Sequence, residues 1–286
     1  MKKILILGST GMMGSMMSKF LKNDDRFKIL CTYKDYQKIK LLKLSNRQRK
    51  KLNVFNLPDL KKTILNYNPD YLINCIGLIK QLCNEKNINQ TKFLNSDLPK
   101  KILQIAKKKK FKIIHLSTDC VFSGKKGNYN EIDKCDAEDF YGQSKFDGEI
   151  KSKLVLNIRT SIIGHELSTN LSLLNWFLKQ KKIKGFKNAF FSGLTTLELS
   201  KIIIKEVVLK NQISHGLFHI SGPKISKLNL LKIIKKNYKK KTIINIDNSF
   251  KIDRSLNSSK FRKITKLKPK NWPNMIKELR AFNENF

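Results

Sequence analysis

Thr118, Tyr141 and Lys145 are the residue types that a carbonyl reduction requires. Such a reaction delivers a proton to an oxygen as hydride reaches the carbon. A phenol can give that proton, and an ammonium beside it lowers the phenol's pKa from its usual ~10 toward working pH. Tyr141 and Lys145 lie four residues apart and residues 144–154 read as helical, so the spacing predicts that the two share a helix face. Thr118 follows an apolar run, residues 111–116, that reads as a strand, and its hydroxyl would share the reacting oxygen. By itself Tyr-x-x-x-Lys also describes an exposed tyrosine and a solvated lysine on a surface helix.

A second motif stands at the start of the chain. Residues 3–7 form an apolar run of strand length, followed by Gly8-Ser9-Thr10-Gly11-Met12-Met13-Gly14 and a helical stretch over 15–21. Gly8 allows a tight turn, Gly11 lets backbone approach a pyrophosphate, and Gly14 lets the helix pack closely on the strand. The helix N-terminus then turns its free N–H groups toward phosphate. The flanking strand and helix separate this pattern from a chance glycine cluster.

Strands and helices alternate onward from there. Residues 27–32, 70–75, 111–116 and 154–159 read as strands and 98–107 as a helix, the mark of a parallel doubly wound sheet. Tyr33-Lys34 follows the second strand, where an acidic residue would hold a ribose 2′-hydroxyl; a cation there suits a 2′-phosphate, so NADPH is expected over NADH. Asn74, Cys75, Ile76 and Gly77 should pass under the cofactor. Beyond Arg159 the pattern loosens: helices are expected over 171–178, 196–209, 228–238 and 273–282, and residues 217–221 should return to the main sheet. Trp176 reads as core rather than as a sugar platform. The expected fold is α/β, a Rossmann-type doubly wound parallel sheet over 1–160 with a returning segment near 193–223. Residues 161–286 mainly form a smaller substrate-binding lobe.

In this order and separation the motifs resemble the extended branch of the short-chain dehydrogenase/reductase superfamily. The chain is more similar still to the dTDP-4-dehydrorhamnose reductases and relatives acting on other nucleotide-linked 4-ketosugars. The segment that carries the likeness is Ser117-Thr118-Asp119-Cys120-Val121-Phe122-Ser123-Gly124, continuing through Gly127, Tyr129, Glu131 and Asp133 to Tyr141-Gly142-Gln143-Ser144-Lys145 and Gly148-Glu149. Ile158-Arg159-Thr160-Ser161, Gly193-Leu194-Thr195-Thr196 and Trp272 add to it. The resemblance implies reduction of a 4-keto-6-deoxysugar carried on a nucleotide diphosphate. Tyr141 would donate the proton, Lys145 would hold the nicotinamide ribose, and Asp119 and Cys120 would line the substrate site. Asn56 would lie near the adenine, and Arg254, by position, would contact the diphosphate. The chain departs from the family in several places. Cys120 replaces a usual Tyr, Asn56 a usual Asp, Cys75-Ile76-Gly77 a small-residue run, and Asp253-Arg254-Ser255-Leu256 an Arg-Pro version; the particular sugar stays open.

Composition bounds the alternatives. With 286 residues, 40% of them hydrophobic, the chain can bury a full dinucleotide-binding domain and a smaller lobe. The formal charge of +37 raises the question of nucleic acid. The excess is mostly lysine spread along the chain, whereas base-specific contacts favour the arginine fork, so a solvated lysine-rich surface is expected and no nucleic-acid partner. Five cysteines without a C-x-x-C pair suit a reducing compartment, and no metal site is expected from the histidine spacing. The opening apolar run is too short for a signal peptide and no run of ~20 apolar residues occurs, so a soluble, cytoplasmic protein without membrane contact is expected, with a homodimer left open. Two other classes remain at this point. An epimerase or dehydratase of nucleotide sugars would use the same triad with tightly held NAD. A non-catalytic binding module is the other, as in the regulatory β subunit of methionine adenosyltransferase, which resembles the same reductases.

Overall fold

The structure is a computed structural model that describes residues 1–285; Phe286, the last residue of the expected lobe, lies outside it. The strands are β1 (Lys2–Leu7), β2 (Phe27–Tyr33), β3 (Arg49–Lys51), β4 (Tyr71–Asn74), β5 (Lys112–Leu116), β6 (Val155–Arg159), β7 (Ile162–Ile163), β8 (Lys182–Phe191), β9 (Leu194–Thr195), β10 (Gly216–His219), β11 (Ile225–Ser226) and β12 (Ile243–Asp253). Seven of them form one parallel sheet in the order β10-β6-β5-β4-β1-β2-β3. The chain therefore reverses direction of travel at the β1–β4 pair, the crevice where a doubly wound sheet takes its ligand.

β1 shows why this sheet reads as unbroken apolar runs. Ile4 and Ile6 pack on one face with Met13, Met17 and Leu21, while Leu5 and Leu7 pack on the other with Leu60, Leu98 and Ile102. A strand buried on both faces has no polar side to alternate with. The first of these cores continues without a break into Phe177, Ile183, Phe191 and Leu230, so the C-terminal segments share the main core. Those segments build a three-stranded sheet with β8 between β11 and β12, and a two-stranded pair of β7 with β9. Among the described residues no helix is long and apolar enough to cross a membrane.

Two sequence expectations need correction. The helix carrying Tyr141 and Lys145 is Phe140–Asp147, not 144–154. Asp139 caps it by accepting a hydrogen bond from the Gly142 amide at 2.8 Å, and it stops at Gly148, where a Cβ would lie 2.0 Å from the Asn95 carbonyl oxygen. Trp176 is not core. Its helix, Leu173–Leu178, buries Leu174 and Phe177, which leaves the indole 37% exposed.

Candidate active site

The glycine turn is a main-chain construction. Gly8 has φ +79°, and a Cβ on Gly14 would sit 2.2 Å from the Gly8 carbonyl oxygen, so helix Met12–Leu21 starts directly against the end of β1. Ser9 and Gly11 donate their amides to Thr32 and Gly8 carbonyls. The Ser9 hydroxyl donates to the Ile6 carbonyl and Met13 packs in the core, so these two offer a ligand only backbone. Gly11 caps the helix with no side chain, and the N–H groups of the first turn, at Met12 and Met13, have no intrahelical acceptor. A pyrophosphate fits such a cradle.

A cavity of about 160 Å³ adjoins the turn, between Gly8 and Thr10 on one side and Tyr33, Lys34 and Ile76 on the other. Asp35, the one carboxylate just after β2, caps the next helix by accepting from the Gln37 and Lys38 amides; Lys34 is left as the charged residue of this wall. Asn56 is not part of the cavity. Its side chain accepts from the Asp59 amide and caps helix Leu57–Tyr67. Asn53, Val54 and Phe55 line the cavity instead, with Phe55 stacked on Phe93 at 4.8 Å. They follow β3, whose Arg-Lys-Lys sequence carries no apolar pattern and so gave no strand signal.

The loop after β4 ties this groove to the residues expected to be catalytic. Asn74 is buried; its side chain accepts from the Ile76 amide and lies 3.3 Å from His115 Nδ1. Cys75 is a half-buried residue whose thiol pKa desolvation pushes up to about 12. A Cβ on Gly77 would approach Lys145 Nζ to 3.7 Å and Asn95 Oδ1 to 3.0 Å. Gly77 thus keeps open the space beside the lysine.

Thr118 ends the β5 segment and folds the next turn, accepting from the Cys120 amide at 3.1 Å. Helix Phe140–Asp147 is pressed onto that turn, because a Cβ on Gly142 would lie 2.2 Å from the Cys120 carbonyl oxygen. This close approach brings Tyr141 to Thr118. Burial pushes the phenol well above its ordinary range, the neighbouring Cys120 adds to the rise, and a hydrogen bond with Thr118 opposes both. The expected lowering by Lys145 is not found. Lys145 Nζ is buried and donates to the Leu116 carbonyl at 2.6 Å. Desolvation lowers its own pKa to about 8, against the pull of Glu149 and Cys75. The resting phenol is therefore firmly protonated, as a proton donor must be.

Family-motif residues around the triad do structural work. Ser117 donates to Glu149 at 2.6 Å, and Glu149 takes a bidentate pair from Arg159 at 2.8 and 2.7 Å, joining the ends of β5 and β6. Tyr129 stacks on Phe122 at 4.1 Å and accepts from the Gly124 and Lys126 amides. Trp272 is buried against Phe191 and donates to the Pro223 carbonyl.

On the other side of the triad lies a cavity of about 340 Å³ between the turn at 119–120 and the smaller sheet. Asp119, Cys120 and Arg254 all line it, so the three substrate-side candidates come together. Arg254 donates Nε to the Phe122 carbonyl at 2.8 Å, with Nη1 3.8 Å from Cys120 Sγ. Burial raises the Asp119 carboxyl, and Lys227 and Arg254 pull it down. Burial and Asp119 push the Cys120 thiol up to about 12, which leaves it a neutral wall rather than a nucleophile. Trp176, Phe186, Phe190, Phe250 and Lys227 also line it, and none of these was singled out as a site residue from sequence. They come from segments far apart in the chain.

A model of the RmlD substrate binding domain family matches residues 1–282. The chain belongs to this family. It is 24% identical over 233 residues to a dTDP-4-dehydrorhamnose reductase of Aggregatibacter actinomycetemcomitans, covering 78% of this chain and 74% of that protein. Among solved structures it is similar to a hypothetical dTDP-4-dehydrorhamnose reductase from Sulfolobus tokodaii, with a TM-score of 0.75 at 25% identity over 92% of this chain and 94% of that one. A dTDP-4-dehydrorhamnose reductase from Bacillus anthracis, solved with NADP, has the same fold: TM-score 0.79 at 16% identity, covering 98% and 99%. RmlD-family membership spans both the glycine turn and the 340 Å³ cavity, which places the whole of the described site within one family domain.

Proposed function

We propose that this protein is an NADPH-dependent reductase of the 4-keto group of a nucleotide-diphosphate 4-keto-6-deoxysugar. The observation that carries the reading is the meeting of Thr118, Tyr141 and Lys145 between a main-chain phosphate cradle and a separate cavity. Bound NADPH supplies hydride to the sugar's C4. Tyr141 gives its phenolic proton to the carbonyl oxygen, and Thr118 hydrogen-bonds the same oxygen. Giving up that proton leaves a phenolate, and the Lys145 ammonium on the same helix face stabilises it. Lys145 also holds the nicotinamide ribose, in the space that Gly77 leaves free. The glycine turn and the 74–77 loop hold the rest of the cofactor. Lys34 on the cavity wall, with Asp35 turned into a helix cap, favours NADPH over NADH.

The test is NADPH consumption, followed optically, with a 4-keto-6-deoxysugar nucleotide made in place by a dehydratase. Turnover supports the reading. Protein that purifies with tightly bound NAD and returns it unchanged after each cycle would be an epimerase or dehydratase. NADPH binding without turnover of any such sugar would point to a binding module.

A further inference from the structure

Lys227 is placed where a lysine is costly. It is the first residue of helix Lys227–Asn237, at the positive end of the helix dipole. Its stem packs on Phe191, with Nζ 4.2 Å from the ring centroid, and its ammonium borders the 340 Å³ cavity. Desolvation lowers its pKa. Among the described residues it makes no hydrogen bond and no ion pair within 4 Å, although it shares the cavity with Asp119 and Arg254. Lys184, on the same cavity, differs on each count: its side chain is 77% exposed and pairs with Asp247 at 3.8 Å.

A half-buried cation at a helix N-terminus, seated over a ring and without a hydrogen-bond acceptor, gains one when an anion enters. Asp119 balances one of the two inner cations, Lys227 and Arg254, and the remaining positive charge faces a space of ligand size. We propose that Lys227, together with Arg254, binds the diphosphate of the nucleotide sugar and sets the affinity for the substrate's nucleotide half. This rests on the reading of the substrate as a nucleotide-diphosphate sugar. A diphosphate here would span the two cations, with the sugar directed to Thr118 and Asp119 and the nucleoside toward the aromatic rim of Trp176, Phe186 and Phe250.

The experiment is a titration of thymidine diphosphate, and separately uridine diphosphate, into the full chain saturated with NADP. It is read by calorimetry and by the fluorescence of Trp176 on the cavity wall. Lys227→Met keeps the packing over Phe191 and should weaken the tighter-binding nucleotide by roughly 10- to 100-fold, the scale of one hydrogen bond to a charged group. Lys227→Arg should restore most of the affinity, and Lys184→Met should change it less than about threefold. NADPH affinity should be unmoved in all three. Should Lys227→Met not fold, Lys227→Gln takes its place with the same expectation. A folded Lys227→Met or Lys227→Gln protein that binds the nucleotide as the wild type does would overturn the proposal while leaving the reductase reading intact. Wild-type protein that takes NADPH but neither diphosphate would instead overturn the substrate class, and the role of Lys227 with it.

Discussion

The groove at the glycine turn and the cavity at Asp119 and Cys120 are built differently. On the proposed cofactor side the phosphate cradle is backbone, formed by the turn at Gly8 and the start of helix Met12–Leu21, and side chains such as Tyr33, Lys34 and Phe55 enter only in the adjoining cavity. On the proposed substrate side the wall is side chain: Arg254, Lys227, Trp176 and phenylalanines from β8 and β12. Backbone can cradle a phosphate using short sequence stretches whose only demand is the absence of a Cβ. Recognition of a sugar nucleotide by side chains draws on residues that the fold must gather from far apart. This second kind of site takes in Cys120 and, on the bulge between Asp247 and Lys251, Phe250.

The sharpest break between the two sides is chemical. Tyr141→Phe keeps the ring and removes the acid, and should lower kcat by ~10²–10⁴ while NADPH affinity stays within a few-fold. A variant that turns over at the wild-type rate, with chemistry shown to be rate-limiting, would make the triad a structural inheritance. Gly14→Ala attacks the backbone side alone. Its methyl has 2.2 Å to the Gly8 oxygen, so the helix must shift, at a cost of about 1–3 kcal/mol in stability and with NADPH affinity falling before that of a nucleoside diphosphate. Calorimetry with each ligand separates the two effects.

The pH profile tests the lysine between the grooves. The Lys145 ammonium persists below its pKa of about 8 and is lost above it, so kcat/KM should fall as pH rises through about 8. Tyr141, whose pKa is raised, should not set that limb. Lys145→Met should remove it along with most of the rate, and a limb that persists in this variant would assign it elsewhere. A smaller effect belongs to Lys34→Ala, which should cut the preference for NADPH over NADH by about three- to tenfold, measured by fluorescence titration of both cofactors. The smallest is on the substrate side. Trp176→Ala should leave thermal stability within about 0.5 kcal/mol, whereas Trp272→Ala in the core should cost about 3–5 kcal/mol.

The sequence by itself determined the parallel doubly wound sheet, because strands buried on both faces must be apolar throughout and helices between them must be amphipathic. It also determined the glycine turn, since the contact between Gly14 and Gly8 is made within seven residues and admits no side chain. The tertiary structure alone decided the rest. Asp139 and Asn56 became helix caps, the second against expectation, because a cap depends on where the backbone leaves the helix. Lys145 turned to the Leu116 carbonyl, and burial of the phenol holds its proton in place. Lys227 came to the cavity wall through the packing of its helix onto β8, and Trp176 reached the same wall from a helix distant in the chain. Local spacing encodes contacts within a turn or a strand. A side chain's neighbours across the fold follow only from how the whole core closes.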